Sequence, residues 1–205
     1  MISKGTTDQP CNKQEDSKAN MKMTSSILNK TALCFMLFSL SVGASAKAHP
    51  APAETGSETV NVKIVNSTGA EIGTATLTQN QDSVRLHVEA KSLPPGIHGI
   101  HFHETGKCEG PKFTTAGSHL NPQTKEHGFN NPKGFHVGDL PNIQVAADGT
   151  VKVDIETKIV TLAPNQPNSL KKAGGTALVI HAQADDYKTD PSGNSGDRIA
   201  CGVIQ

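Results

Sequence analysis

The chain has 205 residues, with 19 Lys and Arg against 19 Asp and Glu, so its formal net charge is zero. A chain without a basic excess lacks the electrostatic footprint of a nucleic-acid-binding protein, which argues against such a partner. Aromatic residues make up only 3% of the chain and there is no Trp, so a core must rest on Val, Ile, Leu and Ala. The β-branched members of this set favour strands.

The N-terminal 46 residues have the pattern of a cleavable signal peptide. Lys22 and Lys30 supply a basic region, and an apolar stretch follows over residues 31–42. Ala44-Ser45-Ala46 has the small-x-small form of a cleavage site, so we predict cleavage after Ala46. The apolar stretch is too short to span a bilayer, which needs about 20 residues. We therefore expect a soluble protein outside the cytoplasm, either periplasmic or secreted.

Three methionines are candidate starts, namely Met1, Met21 and Met23, because the first 20 residues are polar and unusual for a leader. Cleavage after Ala46 leaves 14 basic and 16 acidic residues, and thus a net charge of −2. Residues 47–57 predict a flexible lead-in. We interpret His49, which lies in this lead-in, as a tail residue and not as a ligand.

Cleavage also leaves only two cysteines, Cys108 and Cys201. Two cysteines in an exported protein usually form a disulfide, and two free thiols or two metal ligands are the alternatives. A disulfide between them would close a long loop, which stabilises a fold by about 4–5 kcal/mol in the chain-entropy model.

Alternation of apolar residues predicts eight β-strands and no amphipathic helix. The predicted strands cover residues 60–64, 72–78, 83–89, 97–103, 143–147, 151–155, 177–181 and 199–204. Turn signals at 66–69 and 147–150 separate neighbouring strands, whereas 104–141 and 182–197 have no sustained period. This pattern predicts an all-β, eight-stranded antiparallel sandwich or flattened barrel with two long functional loops.

Six histidines and one aspartate in the second half of the chain are spaced like a two-metal site. They are His101, His103, His119, His127, His136, Asp139 and His181. Strand alternation points His101 and His103 to the same face. Neutral imidazoles suit copper and zinc, and an aspartate among them favours zinc for one pocket. Seven ligands can serve two ions if one histidine bridges them. A redox-active ion beside a redox-silent one indicates electron chemistry and not hydrolysis. We interpret His87 as solvent-facing and His98 as a packing or hydrogen-bonded histidine.

Four motifs, taken in their order along the chain, resemble copper/zinc superoxide dismutase. They are GIHFHE at 99–104, AGSHLNP at 116–122, HVGDL at 136–140 and GDRIACGVI at 196–204. Together with His127 and His181, they extend the resemblance over roughly residues 58–205, which we interpret as the dismutase-like domain. The resemblance implies a Greek-key form of the eight-stranded fold.

The resemblance also implies the role of each site residue. Copper would bind His101, His103, His119 and His181, and zinc would bind His119, His127, His136 and Asp139. One copper and one zinc ion per subunit would thus share His119, and copper cycling would convert superoxide to dioxygen and hydrogen peroxide, protecting against extracytoplasmic superoxide. On copper reduction, His119 would leave copper and carry a proton, and Arg198 would attract the superoxide anion. Asp185 would hydrogen-bond to one histidine of each ion, and the Cys108–Cys201 disulfide would tie the first long loop to the last strand.

The charges of the 182–197 loop depart from those of the animal enzymes. Asp197 directly precedes Arg198, and Lys188 is only a candidate for steering the substrate. We expect the protein to be either a homodimer with the bacterial type of interface or a monomer. A metal-storing or metal-delivering relative without turnover, and a sandwich domain whose metals only stabilise loops, are the competing functions. The presence of every copper position and of Arg198 favours the enzyme.

Overall fold

The computed structural model describes residues 57–205, which form nine β-strands, a short 3-10 turn at Thr114–Ala116 and no α-helix. The strands are β1 (Thr59–Asn66), β2 (Glu71–Gln79), β3 (Val84–Ala90), β4 (Gly96–His98), β5 (Ile100–His103), β6 (Ile143–Val145), β7 (Val151–Thr157), β8 (Thr176–His181) and β9 (Arg198–Ile204). This confirms the all-β prediction. The predicted signal peptide, its cleavage after Ala46 and the lead-in up to residue 56 lie outside the described residues. Within residues 57–205, no helix is long and apolar enough to cross a membrane.

Seven strands form one curled antiparallel sheet, and the other two form a short sheet that connects its ends. The long sheet has the order β5-β8-β9-β1-β2-β3-β7, and the short sheet pairs β4 with β6. At one end β4 continues into β5, and at the other β6 turns into β7 through a tight turn at 146–150. The short sheet therefore connects the two edge strands of the long sheet, β5 and β7, as in a flattened barrel.

The strand count is nine and not eight because the predicted strand 97–103 is divided at Gly99. Residues 96–98 pair with β6, whereas residues 100–103 pair with β8. At the division, the Gly99 N–H donates to the Gln183 carbonyl oxygen at 2.8 Å, and its own carbonyl accepts from the His181 N–H at 2.8 Å. The alternation of side chains continues across this change of partner, so the sequence pattern gives no sign of it.

Strand β5 belongs to both the core and the site. Ile100 and Phe102 are buried in the main apolar cluster, whereas His101 and His103 are equally buried on the opposite face, under the long loops. Full burial of a side chain such as Phe102 stabilises a fold by about 1.5–3 kcal/mol. Strand β5 thus contributes two apolar side chains to the core and two histidines to the site.

The first long loop returns twice to the free edge of β5. The Phe102 N–H donates to the Gly138 carbonyl oxygen at 2.9 Å, and the Phe102 carbonyl accepts from the Leu120 N–H at 2.8 Å. A Cβ atom on Gly138 would collide with the Phe102 oxygen and lie 2.9 Å from the Leu120 nitrogen, so this approach requires glycine. The pairing brings His119 and Asp139, the chain neighbours of Leu120 and Gly138, beside β5.

The second long loop is held against the first by Asn142 and Tyr187. The Asn142 side chain donates to the Asp185 carbonyl at 2.9 Å and accepts from the Asp185 N–H at 2.9 Å. The Asn142 N–H donates to the Tyr187 hydroxyl at 2.7 Å, and the Tyr187 carbonyl accepts from the Asn130 N–H at 2.8 Å. These bonds fix the backbone of Asp185 relative to the first loop.

The predicted disulfide between Cys108 and Cys201 is confirmed. The two Cα atoms are 5.6 Å apart, within the usual range for a bridge. Cys108 lies in the first long loop and Cys201 in β9, so the bridge ties the loop to the sheet.

Candidate metal centre

Seven buried side chains converge in two groups that share one residue. The four-histidine group contains His101, His103, His119 and His181. The His3Asp group contains His119, His127, His136 and Asp139. In each group the potential ligand atoms all lie within 4.8 Å of one another. His119 belongs to both groups, so the two predicted sites adjoin through one imidazole.

The His3Asp group has its potential ligand atoms at the spacing of a tetrahedral metal site. The Nδ1 atoms of His119 and His127 each lie 3.0 Å from Asp139 Oδ1, and His136 Nδ1 lies 3.2 Å from it. The Nδ1 atoms of His119 and His136 are 3.4 Å apart. Zinc bonds of about 2.0–2.1 Å place neighbouring ligand atoms of a tetrahedron about 3.3 Å apart. Four ligand atoms at this spacing fit one zinc ion.

The four-histidine group contains buried ring nitrogens that have no hydrogen-bond partner in the described part of the chain. His101 Nδ1 and His119 Nε2 are buried and have no hydrogen-bond partner among residues 57–205. His103 Nε2 faces His181 Nε2 at 3.4 Å. An unsatisfied buried polar atom costs about 1–3 kcal/mol, and a metal ion that binds these nitrogens would remove that cost. An all-imidazole set suits copper or zinc.

One carboxylate connects the two groups from outside. Asp185 Oδ2 lies 2.7 Å from His101 Nε2, and Asp185 Oδ1 lies 3.0 Å from His127 Nε2. Both contacts use the ring nitrogen that points away from the metal-binding side. They fix the orientation of each ring and the nitrogen that carries the proton. Gly193 covers this carboxylate so closely that a Cβ atom there would collide with it.

Backbone carbonyls hold two further rings of the four-histidine group. His103 Nδ1 lies 3.0 Å from the Gly117 carbonyl oxygen, and His181 Nδ1 lies 3.3 Å from the Gly196 carbonyl oxygen. Because a carbonyl only accepts, each contact requires the proton on Nδ1 and leaves Nε2 as the free ligand atom. The two long loops therefore each supply one such carbonyl.

Burial keeps most of these histidines neutral. Desolvation lowers the pKa of His101, His119 and His181 to about 4 and that of His103 well below its usual value. A histidine binds a metal through a neutral imidazole. At neutral pH these four rings are therefore in the protonation state that metal binding requires.

Asp139 and His127 form the charged part of the site. Burial disfavours the Asp139 carboxylate, but bonds from His119, His127 and His136 outweigh it and hold the pKa of Asp139 well below its usual range. Burial also disfavours a charge on His127, but Asp139 and Asp185 outweigh it and raise the pKa of His127 to about 9. A metal ion binding here must therefore displace a proton from His127.

Arg198 lies close to the four-histidine group, at the Gly117 carbonyl that also contacts His103. Its Nη1 donates to the Phe113 carbonyl and its Nη2 to the Gly117 carbonyl, each at 2.7 Å. The Gly117 oxygen also accepts from His103. Burial lowers the pKa of the half-buried Arg198, but a guanidinium stays charged at physiological pH. The fold thus fixes one cation next to a histidine of the four-histidine group.

A groove of about 500 Å³ gives access to Arg198 from solvent. Its lining includes Lys112 and Asp197, so a second cation and an anion stand next to the guanidinium. Lys188 lies outside this lining. The lysine of this groove comes from the first long loop, and a steering role for Lys188 stays a prediction.

A family model for copper/zinc superoxide dismutase matches residues 71–204. The chain belongs to the copper/zinc superoxide dismutase family. This confirms the resemblance seen in the four sequence motifs. The chain is 46% identical to superoxide dismutase [Cu-Zn] 1 of Aquifex aeolicus (strain VF5), over 85% of this chain and 96% of that protein. It is 40% identical to the superoxide dismutase-like protein YojM of Bacillus subtilis (strain 168), over 86% of this chain and 96% of that one.

Solved structures of the family have the same fold. The crystal structure of a SOD-like protein from Bacillus subtilis matches with a TM-score of 0.69 and 44% identity, over 71% of this chain and 97% of that chain. The Cu/Zn superoxide dismutase from Brucella abortus matches with a TM-score of 0.60 and 30% identity, over 72% of this chain and all of that chain.

The structure brings all predicted ligands of this family member into the two groups and leaves the other described histidines outside them. His87 lies on the sheet surface, between Asp154 at 2.8 Å and Glu89 at 3.1 Å. His98 is buried, with one ring nitrogen 2.8 Å from the Pro94 carbonyl and the other 2.8 Å from the His181 carbonyl. Sequence reasoning did not find this contact of His98 with His181, since strand alternation points His98 away from His101 and His103.

Proposed function

We propose that this protein is an active superoxide dismutase outside the cytoplasm, with copper in the four-histidine group and zinc in the His3Asp group. The observation that carries the proposal is the sharing of His119. Its Nδ1 is directed to the His3Asp group, at 3.0 Å from Asp139, whereas its Nε2 is the unpartnered atom of the four-histidine group. One imidazole can therefore bind an ion through each nitrogen.

The assignment of the two metals is supported by the ligand sets. Three imidazoles and a carboxylate in tetrahedral spacing are a usual zinc set. Four imidazoles without a carboxylate suit copper, because Cu(II) binds nitrogen ligands in square-planar or tetragonal arrangements. Membership of a copper/zinc family supports the same division.

Copper, when bound, would supply the redox chemistry, in which one superoxide ion is oxidised to dioxygen and the next, with two protons from water, is reduced to hydrogen peroxide. The residues of the chain bind, orient and supply charge. Arg198 attracts the anionic substrate towards the four-histidine group. His119 Nε2 is the ring nitrogen that can hold a proton when it does not bind a metal. Asp185, Gly117 and Gly196 keep the surrounding rings in one orientation.

The location of the protein is part of the proposal. It rests on the N-terminal signal pattern and on the disulfide, because disulfides persist in oxidising compartments. Export with cleavage after Ala46 gives Lys47 as the first residue of the mature protein. N-terminal sequencing of the exported protein tests this, and an intact N-terminus on protein retained in the cytoplasm would contradict it.

Replacing Arg198 by alanine is expected to slow superoxide decay by about 10-fold to 100-fold, because a fixed cation at the site raises the encounter rate of a small anion. The remaining rate is also expected to depend less on ionic strength, since salt screens the attraction that has been removed. Measurement of the decay rate over a range of salt concentrations checks both effects.

Arg85→Ala is the matched control. Arg85 is an exposed arginine on β3, paired with Asp154, so its loss gives the same change in net charge away from the groove. We expect it to retain the wild-type rate and salt dependence. If Arg198→Ala also retained both, Arg198 would have no role in attracting the substrate.

A further inference from the structure

Five of the six metal-site histidines face a metal position with one nitrogen only, and four of these have an acceptor for the other nitrogen. Asp185 serves His101 and His127, at 2.7 Å and 3.0 Å. Backbone carbonyls serve His103 and His181, at 3.0 Å and 3.3 Å. Metal-binding histidines almost always donate their second ring N–H to such an acceptor. The fifth histidine, His136, requires one as well.

The outward nitrogen of His136 faces Asp190. His136 Nδ1 points inward, 3.2 Å from Asp139 Oδ1, and His136 Nε2 lies 3.9 Å from Asp190 Oδ1. The same Asp190 oxygen accepts the backbone N–H of His127 at 2.7 Å, the length of a charge-assisted hydrogen bond. Asp190 therefore contacts two residues of the His3Asp group, one through its backbone and one through its ring.

We propose that Asp190 is a positioning residue for zinc, which holds the His127 backbone and accepts the Nε2–H of His136 when His136 Nδ1 binds the metal. Once Nδ1 is a ligand, the ring proton must be on Nε2, where Asp190 is the facing carboxylate. The gap of 3.9 Å exceeds a hydrogen bond by about 1 Å. The Asp190 side chain is half-exposed and has room for that shift.

The second long loop would then contact the metal-site histidines through two carboxylates that lie five residues apart. Asp185 orients His101 and His127, and Asp190 orients His127 and His136. The turn between them is braced by Asp186, which accepts the N–H of Lys188 at 2.9 Å and of Thr189 at 2.8 Å. Asp190 thus follows a turn whose backbone has its own hydrogen bonds.

The test is the rate at which zinc leaves the protein, and the inference rests on the proposed zinc assignment. The zinc-loaded, copper-free protein is mixed with an excess of a chromophoric chelator, and Asp190→Ala and Asp190→Asn are compared with the wild type. We expect Asp190→Ala to release zinc about 10-fold to 100-fold faster. Asp190→Asn is expected to show a smaller acceleration, because its amide oxygen still accepts hydrogen bonds without the charge. Asp82→Asn, which removes an exposed carboxylate paired with Lys158, is expected to match the wild type.

A second readout separates positioning from a role in folding alone. With cobalt(II) in place of zinc, the visible absorption reports the arrangement of the ligands. We expect Asp190→Ala to change this spectrum while the thermal unfolding of its metal-free form stays close to that of the wild type.

Zinc release at the wild-type rate in both Asp190 variants would overturn the inference. Faster zinc release would also overturn it if the cobalt spectrum were unchanged and the metal-free variant were less stable to thermal unfolding by a matching amount. Failure of the wild type itself to take up zinc would instead refute the zinc assignment on which the inference rests.

Discussion

Replacing His103 by alanine is expected to slow catalysed superoxide decay by more than about 100-fold while zinc binding is retained. His103 is fully buried, and its Nε2 faces His181 Nε2 at 3.4 Å, so the change removes one ligand of the four-histidine group and none of the His3Asp group. Loss of an outer hydrogen bond to a metal-binding histidine already costs about 10–100-fold in affinity or activity. Loss of the ligand itself should cost more. Decay kinetics and metal analysis of the same sample measure both effects.

Two further histidine variants serve as controls for this result. His136→Ala is expected to show the converse, with zinc lost and copper retained, because His136 belongs to the His3Asp group alone. His87→Ala makes the same substitution on the surface of β3 and is expected to match the wild type in rate and metal content. Wild-type decay by copper-loaded His103→Ala would contradict the assignment of His103 as a copper ligand.

Removing the disulfide, by replacing Cys108 and Cys201 with serine, is expected to lower the free energy of unfolding by about 4–5 kcal/mol. The two cysteines are 93 residues apart in sequence, so the bridge restricts a large part of the unfolded chain. A loss of this size is a substantial part of the stability of an ordinary domain. The midpoint and slope of urea unfolding measure it.

The same change is expected to reduce activity. Phe113 and Gly117, whose carbonyls hold the Arg198 guanidinium, follow Cys108 in the first long loop, and Arg198 lies on β9 with Cys201. Without the bridge, only weaker contacts keep these two parts of the chain together. Reducing the metal-free wild type and removing the reductant before metals are loaded should reproduce the serine variant, and the same treatment should leave the variant unchanged. Equal unfolding midpoints for the wild type and the variant would contradict a stabilising role of the bridge.

Much of the fold could be predicted because side-chain alternation and burial coincide on most strands. On β3, for example, Val84, Leu86 and Val88 are buried and the residues between them face outward. The division at Gly99 could not be predicted in this way. It is a change of hydrogen-bonding partner from β6 to β8, and backbone pairing has no signature in the order of the side chains.

The candidate site was predictable where ligands lie in short motifs, and less so where the long loops contribute single residues. His101 and His103 share a face of one strand, which follows from period 2. Asn142 and Asp190 were not found, because each acts across a distance in sequence of more than 40 residues. No local spacing in the sequence connects Asn142 or Asp190 with its partners. These residues come together only when the two long loops fold against each other.

We propose that the protein turns over superoxide with copper in the four-histidine group. The most direct measurement is the decay of superoxide in the presence of the mature chain, Lys47–Gln205, loaded with copper and zinc, then stripped of copper, then reloaded. We predict fast decay, its loss when copper is removed, and its return on reloading. Stoichiometric binding of both metals without catalysed decay would contradict the claim and would indicate a protein that stores or delivers metal.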